Sequence, residues 1–358
     1  MRRATVALVM PNYNHARFLP TALDAVFAQT RPFDEVLVLD DASTDDSLRI
    51  IESYAPQYPA LRVLRNERNQ GVARSVNRLL KEVRSDYVVA AAADDCLRPQ
   101  FLEKSMAALE RHPEAGLCFS ETTQLLDESG VTQRLADTAG SAHIFDLSDL
   151  PEYCRPEDLV ARMKKAYLPI ASNTVVVNRD ALLAVQGYPR ELEWFADSFA
   201  CNVIALRHGA CVVPETLALI RALPGSYSQA MNDTARQSAV LRKMLDLLAT
   251  PAYRDIRGIL RRCPSGLTIG RNLIFHVMAG EPRDWDLLAA YLWWRILQHK
   301  RYRRLTRFGV LVSALLHAPF VIPSRWRRAL FPQRLREAGW RLRNWTLSRG
   351  VFRQERRD

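Results

Sequence analysis

Four mostly apolar runs, each halted by polar residues, divide the first hundred positions of the chain. Thr5-Val-Ala-Leu-Val-Met10 stops at Pro11-Asn12-Tyr13-Asn14-His15, and Glu35-Val-Leu-Val-Leu39 stops at Asp40-Asp41. Leu61-Arg-Val-Leu64 leads into Asn66-Glu-Arg-Asn69, and Tyr87-Val-Val-Ala-Ala91 ends in Ala93-Asp94-Asp95. Val- and Leu-rich runs of this length suit strands covered on both faces. Between them apolar residues recur at helical spacing, through Leu19, Leu23, Val26 and Phe27 and again through Val76, Leu79 and Leu80. Strands alternating with helices predict an α/β fold with a mostly parallel sheet flanked by helices. Ligands of such sheets lie beyond the carboxyl ends of the strands, and here carboxylates reach that edge from two strands.

Each acid also has a plainer reading. Ser43 and Asp46 have the spacing of a capping box before Leu48-Arg-Ile-Ile51, which assigns Ser43, Asp45 and Asp46 to a helix start. Asp94 and Asp95, before Leu97-Arg98-Pro99, would alone be read as a turn; Asp40 at the same sheet edge makes them candidate site residues. Asp197 lies in the aromatic stretch Trp194-Phe195-Ala-Asp197-Ser-Phe199, where desolvation raises a carboxylate's basicity. An apolar helical pattern from Phe199 to Leu206 follows it, and the plainer reading of Asp197 is as the cap of that helix.

Taken in order, Pro11-Asn-Tyr-Asn14, Val38-Leu-Asp40-Asp41-Ala-Ser-Thr-Asp45, Asn69-Gln-Gly-Val-Ala-Arg74 and Ala93-Asp94-Asp95 closely resemble the nucleotide-sugar half of inverting glycosyltransferases of family 2, which have the GT-A fold. Gly187-Tyr188-Pro189, Glu193-Trp-Phe-Ala-Asp197-Ser-Phe199 and Ile220-Arg221-Ala-Leu-Pro-Gly-Ser-Tyr-Ser228 extend the resemblance to roughly residue 230. It implies a nucleotide-sugar donor, with Pro11, Tyr13, Asp40, Arg74, Asp94 and Arg221 as binding residues. Tyr13 would pack on the base, Asp40 would hydrogen-bond base or ribose, and Arg74 would reach the base edge or a phosphate. Arg221 would approach the diphosphate, Asp94 would lie against the ribose or assist the metal, and Asp95 would ligate Mg2+ or Mn2+. Hard divalent cations of this kind prefer oxygen ligands and keep several waters. Asp197 aligns with the base that deprotonates the acceptor hydroxyl, with Glu193 as the alternative. Two positions depart from the pattern: Ala92, where many relatives have a third carboxylate, and Ser198, where many have an aromatic residue.

Charge and composition bound the rest. The chain has 358 residues and a formal charge of +11, room for a catalytic domain and an appendage. From Arg283 to Asp358 there are 18 basic and 5 acidic residues, so the positive excess is confined to that tail. The tail interleaves arginine with Trp285, Trp293, Trp294, Trp326, Trp340 and Trp345 around the apolar run 308–322. That composition predicts a basic amphipathic segment lying in an anionic membrane surface. The run has 15 residues, contains His317 and Pro319, and is short of the ~20 needed to span. Six cysteines without CxxC spacing indicate neither a zinc site nor a disulfide framework. The expected location is the cytoplasm, peripheral on the inner face of the cell membrane.

The expected organisation is a GT-A domain at 1–230 (nucleotide-sugar half 1–120, acceptor half 121–230), a helical extension at 231–282 and the basic tail at 283–358. Asp137 to Pro156 is expected to be a loop between the two halves. The expected activity is transfer of a sugar to a glycan or lipid-linked acceptor in bacterial cell-surface polysaccharide synthesis. No nucleic-acid partner is expected, since no recognition motif accompanies the basic tail. A nucleotidyltransferase normally opens with a glycine-rich basic loop, where this chain has Pro11-Asn-Tyr-Asn-His15. A non-catalytic sugar-nucleotide binder is the other alternative, raised by Ala92 and Ser198.

Overall fold

The computed structural model describes residues 2–125, 147–164, 168, 170, 172–221, 233–263, 274, 277, 278 and 280–298. By contacts the chain divides into two compact units, residues 1–259 and 260–358.

The first unit is built on a sheet whose strands, among the described residues, are β1 (Val6–Asn12), β2 (Glu35–Asp40), β3 (Leu61–Arg65), β4 (Tyr87–Ala90), β5 (Cys96–Leu97), β6 (Leu117–Leu125), β7 (Tyr153–Cys154), β8 (Val176–Asn178) and β9 (Ala210–Arg221). Their order is β3-β2-β1-β4-β8-β6-β9-β5, with β7 also on β9. The block β3-β2-β1-β4 is entirely parallel, as the apolar runs predict. Beyond it β8 runs antiparallel to β4 and β6, and β6 runs parallel to β9. Register carries the chemistry: Asn12 lies beside Asp40 and Asp40 beside Arg65, so three strands finish at one edge.

Alternate residues of β1 explain the layering. Val6, Leu8 and Met10 join one core with Leu19, Leu23 and Val26 of α1 (Leu19–Phe27) and with Phe101, Leu102 and Met106 of α4 (Phe101–Arg111). The other sheet face receives α3 (Val72–Glu82), which buries Val76, Leu79 and Leu80. Among the described residues the remaining helices of this unit are α2 (Ser47–Tyr54), α5 (Pro156–Met163), α6 (Arg179–Ala184), α7 (Ala196–His208) and α8 (Thr234–Leu248).

Two expectations change. The stretch Asp137 to Pro156 is not all loop: β7 lies within it and Pro156 opens α5, while 137–146 fall outside the described residues. The capping box at Ser43 and Asp46 does not form, because α2 begins after Asp46 without a side-chain cap. Ser43 Oγ instead accepts from Asn12 Nδ2 (3.1 Å) and Asn14 N (3.0 Å), binding its loop to that of β1. All six cysteines are buried, and no disulfide joins any two of them.

Helix α9 (Arg254–Arg262) crosses the division between the units. In the second, α10 (Trp285–Gln298) buries Leu287, Leu288 and Tyr291. The first turns of the expected tail therefore have one packed face, while Arg283, Asp286 and Ala289 are exposed. Residues 299–358, with the apolar run and the last three tryptophans, lie outside the described residues. No described helix is long and apolar enough to cross a membrane.

Candidate active site

Three loops at the strand ends are fastened to one another by side chains. Asp40, fully buried at the end of β2, accepts from Asn12 Nδ2 (3.1 Å) and from Ser43 N (3.0 Å). Its neighbour Asp41, also buried, accepts from Asn66 Nδ2 (2.6 Å), Gln70 N (2.9 Å) and Gly71 N (2.9 Å), closing the β3–α3 loop. The adjacent acids thus serve two different loops. Above them, at 42% exposure, the Tyr13 ring is open on its loop. Arg74 is exposed in the first turn of α3, and Pro11 is half-buried at the end of β1.

The second acid pair is held more tightly. Beyond β4 the chain continues through Ala91, whose N–H donates to Val9 O (3.0 Å), to Asp94 and Asp95. Arg221, the last residue of β9, grips this turn twice: its N–H donates to Asp95 Oδ1 (2.9 Å) and its Nε to Asp94 O (3.1 Å). The Arg221 guanidinium is buried against the Phe18 ring, 4.5 Å from its centroid. Burial and the charge of Asp94 push the Asp95 carboxyl up to about 7, with Arg221 acting in the opposite direction. Ala92, the position of the expected third acid, lines with Asp95 and Asn173 a cavity of about 10 Å3, room for one water at most.

Asp197 stands in the first turn of α7, accepting from Ser172 Oγ (2.6 Å) and from Ser198 N (2.6 Å). Burial raises its carboxyl above the ordinary range, and these donors oppose the rise. Glu193 is ion-paired with Arg236 (2.6 Å), whose guanidinium lies 6.0 Å from the Trp194 ring. Its backbone, at φ 49° and ψ −124°, is strained for a non-glycine residue.

Asp94, Asp95 and Arg221 are therefore in direct contact, Asp40 joins Asn12 at the neighbouring strand ends, and Asp197 connects to Asp95 through Ser172 and Asn173. Asn12, Phe18, Ser172 and Asn173 contact these candidate residues, and the sequence pattern does not single them out. Asn12 sits inside the Pro11-Asn-Tyr-Asn14 motif, whereas Ser172 and Asn173 have no local signal.

Among the described residues no three or more His, Cys, Asp or Glu converge on one point. The Asp94–Asp95 pair nonetheless fits Mg2+ or Mn2+, which are commonly held by one or two carboxylates together with waters and phosphate oxygens. Burial and Asp94 disfavour the ionised form of Asp95, a cost that an adjacent cation would offset.

Residues 7–132 match the model of glycosyl transferase family 2. Along most of its length the chain is similar to an uncharacterized protein of Mycobacterium tuberculosis, 27% identical over 339 residues, 87% of this chain and 91% of the relative. Its fold is similar to that of S. aureus TarS 1-349 in complex with UDP-GlcNAc, with TM-score 0.54, 14% identity, and coverage of 85% of this chain and 93% of that one. It is also similar to a mannosyltransferase from Pyrobaculum calidifontis in complex with GDP-Man and Mn2+, with TM-score 0.52, 19% identity, and coverage of 88% and 87%. The parallel block and its acid-bearing strand ends thus lie within the part of the chain, residues 7–132, that matches glycosyl transferase family 2, and the fold is of the GT-A type.

Proposed function

We propose that the protein moves a sugar from a nucleotide-sugar donor to a glycan or lipid-linked acceptor by inverting displacement, in the synthesis of a bacterial cell-surface polysaccharide. The observation that carries this reading is the Asp94–Asp95 turn, gripped by Arg221 at the edge where β1, β2 and β3 also end. The two similar structures hold a uridine and a guanosine diphosphate sugar, which supports the donor class and leaves the nucleotide open.

Each residue then has a task. Tyr13 covers the base, Asp40 and Arg74 contact base, ribose or phosphate, and Pro11 shapes the loop between them. Asp95, with Asp94 beside it, holds Mg2+ or Mn2+, whose charge would neutralise the departing diphosphate. Arg221 fixes that pair and adds positive charge. Asp197 takes the proton from the acceptor hydroxyl as its oxygen attacks the anomeric carbon, opposite the leaving group. A carboxyl raised by burial is a stronger base, and the Ser172 and Ser198 donors keep its ionised form accessible.

A thermal-shift panel of UDP, dTDP, GDP and CDP sugars, with and without Mn2+, tests the donor assignment. One nucleotide class is expected to stabilise the protein, by ~2.7 kcal/mol at 100-fold over its dissociation constant, and more strongly with metal. No stabilisation by any member would defeat the proposal.

A further inference from the structure

Among the described residues, the 3-10 turn Ser172–Thr174 touches both candidate acids. Ser172 Oγ donates to Asp197 Oδ2 at 2.6 Å, and Asn173 directs its Nδ2 to Asp95 Oδ2 at 3.5 Å. Thr174 is fully buried and anchors the turn to β6, its Oγ1 donating to Ser120 O (3.0 Å) and accepting from Ser120 N (3.3 Å). Val175 N donates back to Ser172 O (3.2 Å), and the chain enters β8, where Val176 lies beside Val89 of β4. The turn is thus mounted on the strand adjoining the one that delivers Asp94 and Asp95. Successive side chains of a tight turn diverge, which lets one short, anchored element serve two separate carboxylates.

We infer that this turn is a positioning element, holding the donor-side carboxylate of Asp95 and the acceptor-side carboxylate of Asp197 in one fixed relation. The inference rests on the roles proposed above for those two acids. Ser172 and Asn173 act through them and not on substrate. Arg221 N fixes one oxygen of Asp95 and Asn173 the other; Ser198 N fixes one oxygen of Asp197 and Ser172 the other. Each acid therefore has one backbone donor from its own neighbourhood and one side-chain donor from the shared turn. Displacement of the turn alters both.

Carboxyl-13C aspartate labelling of the full chain reads both contacts without an acceptor, the Asp197 signal being assigned by its loss in Asp197→Asn. Ser172→Ala removes a donor to the ionised form and is expected to raise the Asp197 midpoint by about 1–2 pH units, a hydrogen bond to a charged group expressed as a pKa change. Ser172→Thr, which keeps the hydroxyl, should restore it, and Ser172→Cys, a weaker donor of similar volume, should show the rise where alanine disturbs folding. Among the described residues Tyr188 and Cys201 are the titratable groups that interact with Asp197, and burial pushes both upward, so they stay neutral across this range. Mg2+ alone is then added. The wild-type Asp197 signal is expected to move as the metal binds, whereas Asn173→Ala should abolish that response and weaken Mg2+ binding about 3- to 10-fold, the worth of one modest hydrogen bond. An unmoved midpoint in folded Ser172→Ala and Ser172→Cys, or an equal Mg2+ response with and without Asn173, overturns the inference. Failure of the underlying reading has a separate signature: Asp197→Asn with full turnover, or wild-type protein that binds no Mg2+, removes the assigned roles whether or not the turn joins the two acids.

Discussion

Asp95 illustrates how a site residue costs stability. Its carboxyl is raised from 3.8 to about 7 by burial first and by Asp94 second, so the folded protein binds this proton more tightly than the unfolded chain does. Stability then falls as pH rises from about 4 to about 7, because across that window the native state holds more protons. Metal-free wild-type protein is expected to lose thermal midpoint through this window relative to Asp95→Asn, which has no carboxyl to ionise there. Mg2+ needs the ionised form, so its stabilisation should be larger at about pH 8 than at about pH 5. Parallel midpoints in the two proteins, with no pH dependence of the Mg2+ effect, would contradict the assignment. Asp197 is also raised by burial, and the task proposed for it is different. Asp197→Asn should lower kcat about 10²–10⁴-fold with donor affinity nearly unchanged, the usual worth of general-base catalysis. Equal loss of donor binding would place Asp197 in the nucleotide site, and product with retained anomeric configuration would remove direct displacement.

At the scale of elements, the loops depend on a few buried polar contacts. Asp41→Ala would leave Asn66, Gln70 N and Gly71 N without their shared acceptor, and is expected to destabilise by about 3 kcal/mol or more in a denaturant titration. Gly71, with φ 85° and ψ 156° at the start of α3, occupies a conformation essentially reserved for glycine, yet a Cβ there would meet nothing within 4 Å. Gly71→Ala should therefore cost ~1–3 kcal/mol through backbone strain alone. A loss under ~0.5 kcal/mol in either variant would show that the loop tolerates rearrangement. These contacts also mark where the sequence stops being informative. Strands β1, β2 and β4 are legible because each is a short apolar run buried on both faces and stopped by polar residues, and β3, half-buried, is legible by the same punctuation. Strands β6 and β9 are not, since Ser120, Glu121, Thr122 and Thr123 are polar yet buried, paid for by partners far along the chain. The capping box at Ser43 is a false local signal, because Asn12 and Asn14 compete for that hydroxyl. Asp94, Asp95 and Asp197 stand out by ordered motifs, whereas Ser172 and Asn173 matter only through contacts that the fold creates.

For the whole molecule the open question is what the basic C-terminal segment does, and the packed start of α10 narrows it. Leu287, Leu288 and Tyr291 are buried while Arg283, Asp286 and Ala289 are exposed, so one face of this helix is already taken, and most of the arginines and the apolar run 308–322 lie in residues 299–358. We propose that this segment docks the enzyme on an anionic membrane surface, where a lipid-linked acceptor would be found. Each basic residue near such a surface contributes ~1 kcal/mol, so engagement of a few arginines together with the apolar run is enough for stable association. Flotation with liposomes of graded anionic content should carry the full chain upward in proportion to that content, while a chain ending at Gln298 stays behind. Salt shortens the range of the electrostatic part to a few ångströms but leaves apolar insertion intact, so high salt should release the full chain only partly. Equal flotation of both proteins, or none by the full chain, would assign the segment to a protein partner instead. Complete release by salt would show that arginine alone holds the chain and that the run 308–322 never enters the interface.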